Sequence, residues 1–253
     1  MSTPRAHAAG APHPPLTDYY SDDEGARRKW VRDIFNRTAG DYDRVELAMS
    51  AGSGARYRRQ ALLRAGLGAG MRLLDVGTGT GLVAKQALQI VGEGGSVTGV
   101  DPGVGMLAAG GRPSGINVVA GLGERLPFAH AQYDFLSMGY ALRHVSDIRA
   151  LFAEFYRVLK PGGRLCVLEI TPPRSRAAAA MLKLYMRTIV PMLVRLVARH
   201  ADTATLMRYY WDTIETCVPP GELVDALSTA GFERVERHVE LSIFSEYRAQ
   251  RPL

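Results

Sequence analysis

The sequence predicts an α/β protein: a doubly wound, mostly parallel sheet of seven strands, with helices on both faces and a helical cover. Three observations carry this expectation. Short apolar runs rich in Val, Leu and Ile alternate with helical patterns from Arg72 to Ile170, as a parallel sheet joined by crossover helices requires. The first apolar run passes directly into glycines in "RLLDVGTGTGLVAK", Arg72 to Lys85, a bare turn between strand and helix. The chain has 253 residues, 47% hydrophobic and 22% charged, enough for one sizeable core of ordinary globular composition.

In chain order, "ARRKWVRDIFNRTA" places Trp30, Val31, Ile34 and Phe35 on one side of a helix from Ala26 to Ala39, with basic residues opposite. A second helix over "ARYRRQALLRAGL" stops between Gly66 and Gly70. Then follow a strand at Arg72–Val76, a helix at Leu82–Ile90, a strand at Ser96–Asp101 and a helix at Val104–Ala109. Strands at Ile116–Ala120 and Tyr133–Met138, a helix at Asp147–Leu159 and a strand at Arg164–Ile170 complete the alternation. Gly94-Gly95, Pro113 and "KPGG" at Lys160–Gly163 supply turns, because glycine tolerates positive φ and proline cannot continue a helix. A long helical region runs from Arg176 to about Trp211, with an interruption expected at Pro191. A helix at Pro220–Ala230 and two strands within "FERVERHVELSIFSEYRAQR" close the chain.

Thirty-one Lys and Arg against 25 Asp and Glu give a formal charge of +6, which favours anionic ligands, nucleic acid or acidic membranes without choosing among them. Cys166 and Cys217 form neither a disulfide framework nor a zinc pattern, so a reducing cytoplasm is expected and no metal. Residues 1–25, rich in Pro, Ala and Gly and without a secretory apolar block, are expected to be a flexible tail. No later stretch reaches the ~18 uncharged apolar residues of a membrane span.

The chemistry concentrates at the first two strand ends. Asp75 ends the first strand, and Gly77, Gly79 and Gly81, with Thr78 and Thr80 between them, let backbone N–H groups approach a ligand ahead of a helix N-terminus. This spacing is neither the G-x-G-x-x-G dinucleotide fingerprint nor a P-loop, so hydride and nucleoside triphosphate chemistry are disfavoured. Asp101, with Pro102 behind it, ends the second strand, where an acidic side chain accepts the hydroxyl hydrogens of a ribose. An adenosine is implied.

"LDVGTGTG", "VTGVDPGVGML", "GERLPF", "YALRHVSD" and "RVLKPGGRLCVLE", in this order, resemble class I S-adenosylmethionine-dependent methyltransferases. Among these the ubiquinone/menaquinone biosynthesis C-methyltransferase (UbiE) family is the most similar, over about Val31 to Arg248. The resemblance implies a Rossmann-like fold with residues 26–70 as N-terminal cover, 71–171 as cofactor-binding core, 172–218 as lid and acceptor region, and 219–253 as closing helix and strands. It implies S-adenosyl-L-methionine as cofactor and S-adenosyl-L-homocysteine as product. Asp75, Gly77, Thr80 and Gly81 would surround the methionine moiety, with Thr80 in direct contact and Thr78 and Gly79 as further cofactor-binding residues. Asp101 would hold the ribose, with Pro102 also at the cofactor, Met106 would flank the adenine, and Gly139 would sit beside the methionine end. The family's polar residue at the adenine is Leu122 here. Gly123, followed by Glu124, can still offer a backbone N–H, so the pocket should survive with one fewer bond, worth ~0.5–1.5 kcal/mol.

The implied reaction is methyl transfer to a ring carbon of a quinol-like aromatic, prenylated or small, which requires alignment, exclusion of water and ionisation of the neighbouring hydroxyl. Arg143 matches the family's arginine and would favour the phenolate, whereas its bland reading is a structural ion pair. His144 replaces the family's Asn and is a candidate base. Tyr42, Tyr57, Tyr140 and Tyr209 are candidate acceptor contacts, with Tyr210 and Trp211 as either lining or core. Glu46 and Tyr57 depart from the family's Asn and Trp. The alternative acceptor is therefore a specialised metabolite methylated on O, N or C. A nucleic-acid methyltransferase is disfavoured, because "SMGYAL" follows the fourth strand where an Asn/Asp-Pro-Pro-aromatic motif would stand; a non-catalytic binding module remains a third reading. The stretch "RAAAAMLKLYMRTIVPMLVRLVARH" suits an amphipathic cover able to meet the inner face of a membrane peripherally. A homodimer is compatible with all of this.

Overall fold

The computed structural model describes residues 10–111 and 115–253. Seven strands form one sheet in the order β3-β2-β1-β4-β5-β7-β6. They are β1 (Arg72–Val76), β2 (Ser96–Asp101), β3 (Ile116–Ala120), β4 (Tyr133–Gly139), β5 (Leu159–Ile170), β6 (Glu233–Glu240) and β7 (Phe244–Gln250). The first five pair in parallel, and β7 runs antiparallel between β5 and β6. Strand order reverses at β1, so the carboxyl ends of β1, β2 and β4 surround a crevice, the usual ligand position in such sheets.

The helices are α1 (Glu24–Ser50), α2 (Gly54–Arg64), α3 (Leu82–Val91), α4 (Val104–Ala109), α5 (Ile148–Val158), α6 (Arg176–Leu184), α7 (Val190–Val197), α8 (Asp202–Thr216) and α9 (Pro220–Thr229). One face of the sheet packs Leu74, Val100, Leu136 and Val167 against α5 and α9, through Leu151, Phe155 and Leu227. The other packs Leu73, Val97 and Phe135 against α2 and α3, through Leu62, Ala84 and Ala87. A third cluster joins Ile34 and Val45 of α1 to Met186, Val190, Val194 and the α8 residues Leu206 and Trp211. This third cluster is the cover, above the strand ends.

Several expectations are corrected. The first helix continues past Ala39 to Ser50; Gly40 weakens it by only about 1 kcal/mol, and α1 gains support from α4, α7 and α8 along its length. Pro191 does not break the lid. A π turn at Tyr185–Ile189 precedes it, and Pro191 occupies the start of α7, where its missing N–H costs little. The actual break falls at Ala198, whose backbone is extended. "KPGG" belongs to β5, which begins at Leu159 opposite Tyr133 across a register shift.

The described part of the expected N-terminal tail is packed. Ile148 N–H donates to the Gly10 carbonyl at 2.7 Å and Val218 N–H to the Pro12 carbonyl at 2.8 Å. The Tyr19 hydroxyl donates to Asp212 at 2.6 Å, and the Tyr19 ring lies 5.2 Å from Trp30 and 5.3 Å from Tyr209. Its aromatic and backbone groups find partners on α1, α5 and α8, which composition alone did not reveal.

Candidate active site

Beyond the strand ends lies a cavity of about 1140 Å³, walled at one end by the glycine turn and at the other by the cover. The turn is held from behind. Asp75 is buried and accepts from the Thr78 hydroxyl at 2.7 Å and the Ser137 hydroxyl at 2.7 Å. Burial pushes its carboxyl up to about 6, against the pull of those two bonds. Asp75 therefore tethers the loop and, with the αL residue Gly81 at the start of α3, lies outside the cavity wall. Both were expected at the ligand; the Thr78 and Ser137 bonds explain why Asp75 stands behind it.

The other expected cofactor residues, Gly77, Thr78, Gly79, Thr80, Asp101, Pro102, Met106, Leu122, Gly123, Glu124 and Gly139, all line the cavity. Asp101 accepts from Gly79 N–H at 2.9 Å and Gly103 N–H at 2.7 Å, so one carboxylate organises both the loop and the start of α4. Burial raises its pKa while those two donors oppose the shift. The Thr80 hydroxyl donates to Asp43 at 2.5 Å, which ties the loop to α1. Glu124 accepts from Ser146 N–H at 2.7 Å. Asn36 of α1, which sequence reasoning missed, accepts from Gly105 N–H at 2.9 Å; only its apolar neighbours Ile34 and Phe35 drew attention.

This end fits the cofactor implied by the sequence. Gly77 has φ of 66°, and a Cβ there would lie 2.6 Å from the Ala141 Cβ, so only glycine leaves the cradle open. A Cβ at Gly123 would lie 2.6 Å from Leu151 and one at Gly139 2.6 Å from Val83. Asp101 retains lone pairs for a ribose diol, and the apolar Met106 and Leu122 suit a planar base. Thr80, Asp101 and the loop N–H groups would hold S-adenosylmethionine, with Leu122 unable to bond the adenine amino group.

Past Gly139 the chamber becomes apolar and aromatic, with Phe35, Tyr42, Val45 and Met49 from α1, Leu182 and Met186 from the lid, and Leu206, Met207 and Tyr210 from α8 on its wall. Ile243 and Phe244 of the β6–β7 hairpin also face it, a contribution invisible to local pattern. Tyr42, Tyr57 and Tyr140 line the chamber as expected. The Tyr42 and Tyr210 hydroxyls pair at 2.8 Å, and burial raises both pKa values. Tyr140 has φ of 60°, a strained conformation for a non-glycine residue and one that concentrates at functional sites.

Tyr209 is instead core: it is fully buried, 4.8 Å from Trp30, and outside the cavity wall. Arg143 is also fully buried. Its Nη1 donates to Glu169 at 2.6 Å and its guanidinium carbon lies 4.5 Å from the Tyr210 ring centre, so its charge stands behind the wall, not on it. His144 does line the chamber. It stacks on Tyr209 at 5.4 Å, its Nδ1 lies 3.3 Å from the Tyr209 hydroxyl, and its Nε2 is buried without a partner. Burial, with Arg143, His13 and Arg27 nearby, holds its pKa well below the usual histidine range. His144 is thus a neutral acceptor at pH 7, in place of the base poised near neutrality that the sequence suggested.

The pattern of the ubiE/COQ5 methyltransferase family matches residues 22–242. A demethylmenaquinone methyltransferase of a Mycobacterium species is 32% identical over 223 residues, which cover 88% of this chain and 94% of that protein. The ubiquinone/menaquinone biosynthesis C-methyltransferase UbiE of Pseudomonas paraeruginosa is 30% identical over 247 residues, 94% of each. Among solved structures, a S-adenosylmethionine-dependent methyltransferase of Thermotoga maritima, described as a possible histamine N-methyltransferase, superposes with a TM-score of 0.61 at 22% identity, over 87% of this chain and 98% of that one. One from Aquifex aeolicus gives 0.56 at 21% identity, over 76% and 88%. These two share the fold. Similarity over nearly the whole sequence, joined to a cradle that fits an adenosyl sulfonium and opens on an aromatic chamber, places this chain in the ubiE/COQ5 methyltransferase family, as a S-adenosylmethionine-dependent enzyme.

Proposed function

We propose that the protein methylates a ring carbon of a quinol-like aromatic, of the kind named in its demethylmenaquinone and ubiquinone relatives. The observation that carries this reading is the continuity of one cavity from Asp101 and the glycine turn to an apolar, aromatic chamber. When bound, S-adenosylmethionine would supply a sulfonium methyl; the ring carbon that takes it gives up its own proton, and the hydroxyl proton held at His144 Nε2 returns to the oxygen, so that one proton leaves per methyl added.

The chain's own residues orient and ionise the acceptor. The aromatic walls hold its ring face and exclude water, which strengthens every electrostatic contact inside. The unpartnered His144 Nε2 accepts from the ring hydroxyl next to the methylated carbon. Arg143 acts as a positioning residue: its charge, behind the Tyr210 ring, favours the ionised hydroxyl through the Tyr210–Tyr42 pair. Ionisation raises electron density on the neighbouring carbon, and Glu169 fixes Arg143 in place.

The lid supports a peripheral approach to the cytoplasmic face of a membrane. Arg176–Val197 is long enough and on average apolar enough to cross a bilayer, although Lys183 and Arg187 keep it short of an uncharged run. Met186, Val190 and Val194 nevertheless pack into the cover, while Met181, Leu184, Met192 and Leu196 are 62–80% exposed. Arg176, Arg187, Arg195 and Arg199 are exposed among them. Such a surface meets anionic lipid with its apolar side chains inserted and its cations at the headgroups, beside the chamber that a greasy acceptor must reach.

The test is incubation with methyl-labelled S-adenosylmethionine and a reduced demethylated naphthoquinone under anaerobic conditions, with the label located by NMR. A carbon-bound methyl supports the reading. Label on oxygen or nitrogen, or none on any quinol, overturns it.

A further inference from the structure

The acceptor chamber contains an ion pair that methyl transfer does not use. Arg58 Nη1 donates to Glu46 Oε1 at 2.8 Å, with the Arg58 side chain 5% and that of Glu46 25% exposed. Glu46 comes from the last turns of α1 and Arg58 from the first turns of α2, and both line the cavity beside Tyr57 and Gly54. Gly54 makes the room: a Cβ there would lie 2.1 Å from Glu46 Oε1 and 3.1 Å from Arg58 Nη1. Arg58 Nε is buried at this spot without a partner, and so is the hydroxyl of Tyr57 elsewhere on the same wall.

The surroundings make this patch an exception. The Tyr57 ring lies 5.0 Å from Phe244, and Val45, Met49 and Ile243 share the wall. Buried donors left unpaired in such a setting cost stability unless a ligand completes them. The pair has no net charge, so a ligand carboxylate or ammonium would be attracted by one member and repelled by the other. A neutral group that both donates and accepts satisfies the pair: it donates to Glu46 and accepts from Arg58. On an aromatic ring the smallest such group is a hydroxyl.

We propose that Glu46 and Arg58, with Tyr57 on the adjoining wall, recognise a hydroxyl substituent of the acceptor, remote from the methylated carbon, so that the preferred acceptor is a polyhydroxylated aromatic. This rests on the chamber being the acceptor site. It deepens that reading by separating this chain from an enzyme whose acceptor is otherwise hydrocarbon.

The experiment uses the full chain saturated with S-adenosylhomocysteine under anaerobic reducing conditions. Calorimetry gives Kd for 1,4-dihydroxynaphthalene, for its analogues with a further hydroxyl on the second ring, and for the analogue with a carboxylate there. At least one hydroxylated analogue should bind about tenfold or more tighter than the parent diol and tighter than the carboxylate. The paired replacement Glu46→Met with Arg58→Met keeps the volume without leaving a lone buried charge; it should collapse that affinity ratio to near one while S-adenosylhomocysteine binding persists. Tyr57→Phe should reduce the ratio part of the way. No hydroxylated analogue tighter than the parent diol, a tighter carboxylate, or a ratio unchanged in the double variant overturns the patch alone. Failure of every aromatic to bind the S-adenosylhomocysteine complex overturns the acceptor reading and the patch with it.

Discussion

Asp101→Asn is the perturbation that most directly tests the cradle. In the parent, one carboxylate oxygen accepts from Gly79 N–H at 2.9 Å and the other from Gly103 N–H at 2.7 Å. Asparagine has the same shape but presents an NH2 group to one of these N–H donors, so the loop or the start of α4 must yield. It also removes the negative charge offered to a ribose diol. A hydrogen bond to a charged group is worth ~1.5–3 kcal/mol, and each 1.4 kcal/mol is about tenfold in affinity. Loss of one such bond to the ligand therefore predicts a Kd for S-adenosylhomocysteine about ten- to a hundredfold weaker; Asp101→Ala, which loses both, should weaken it further. Calorimetry near neutral pH reads the affinity, and urea denaturation shows that the variant is folded. If folded Asp101→Asn binds within about twofold of the parent, the ribose is not held by the second strand end and the orientation of the cofactor is wrong. Arg143→Met serves as contrast: Arg143 stands behind the acceptor chamber, so turnover should fall while S-adenosylhomocysteine affinity holds.

Three further outcomes are expected. Glu169→Ala leaves the fully buried Arg143 charge without its partner and should destabilise the fold by ~3–5 kcal/mol in urea denaturation, with Glu169→Gln losing less. His13 is buried, and desolvation, with Arg27 and Arg143 adding to it, lowers its pKa from 6.5 to about 4. The unfolded chain thus binds the proton first, so stability is lost as pH falls below the unfolded value. Between about pH 7 and about pH 5 this group alone removes roughly 2 kcal/mol, and His13→Gln should flatten the urea stability profile by that order. On the lid, Leu184 and Leu196 are 62% and 80% exposed, and Leu184→Glu with Leu196→Glu should abolish sedimentation with anionic phospholipid vesicles while methylation of a tailless acceptor continues; unchanged sedimentation would exclude this face.

The sheet was legible because its central strands are buried on both faces, and "RLLDV", "SVTGVD" and "YDFLSMG" leave little choice of element. The cover was less so. Its boundaries depend on tertiary contacts: α1 runs on through Gly40 because α4 and α8 receive it, and Pro191 sits inside a helical run because the preceding π turn frees the carbonyl its ring would strike. Residues 10–22 have no periodicity, and their order comes from single long-range bonds, from Ile148 to Gly10 and from Val218 to Pro12.

At the site, residue type was readable and facing was not. Asp75 and Asp101 look alike in sequence, each an aspartate at a strand end, yet the hydroxyls of Thr78 and Ser137 draw Asp75 behind the loop while Asp101 takes backbone donors from the loop itself. Arg143 carries the same lesson in charge. Nothing within its own segment signals that Glu169, at the end of the neighbouring strand β5, neutralises it at 2.6 Å. A guanidinium so paired is a weaker stabiliser of an anion than a free one; on the proposed reading, its 4.5 Å contact with Tyr210 would pass the residual field to the Tyr42–Tyr210 hydroxyl pair, where it is screened less than in water. Methylation of a neutral ring requires only that the ionised hydroxyl be favoured briefly. A bare cation on an apolar wall would bind the ionised acceptor too firmly in its ground state, and a transition state gains only from interactions stronger than those in the ground state. On the proposed reading, a charge set behind an aromatic ring, with a carboxylate at its back, would keep that balance at the aromatic end of the chamber.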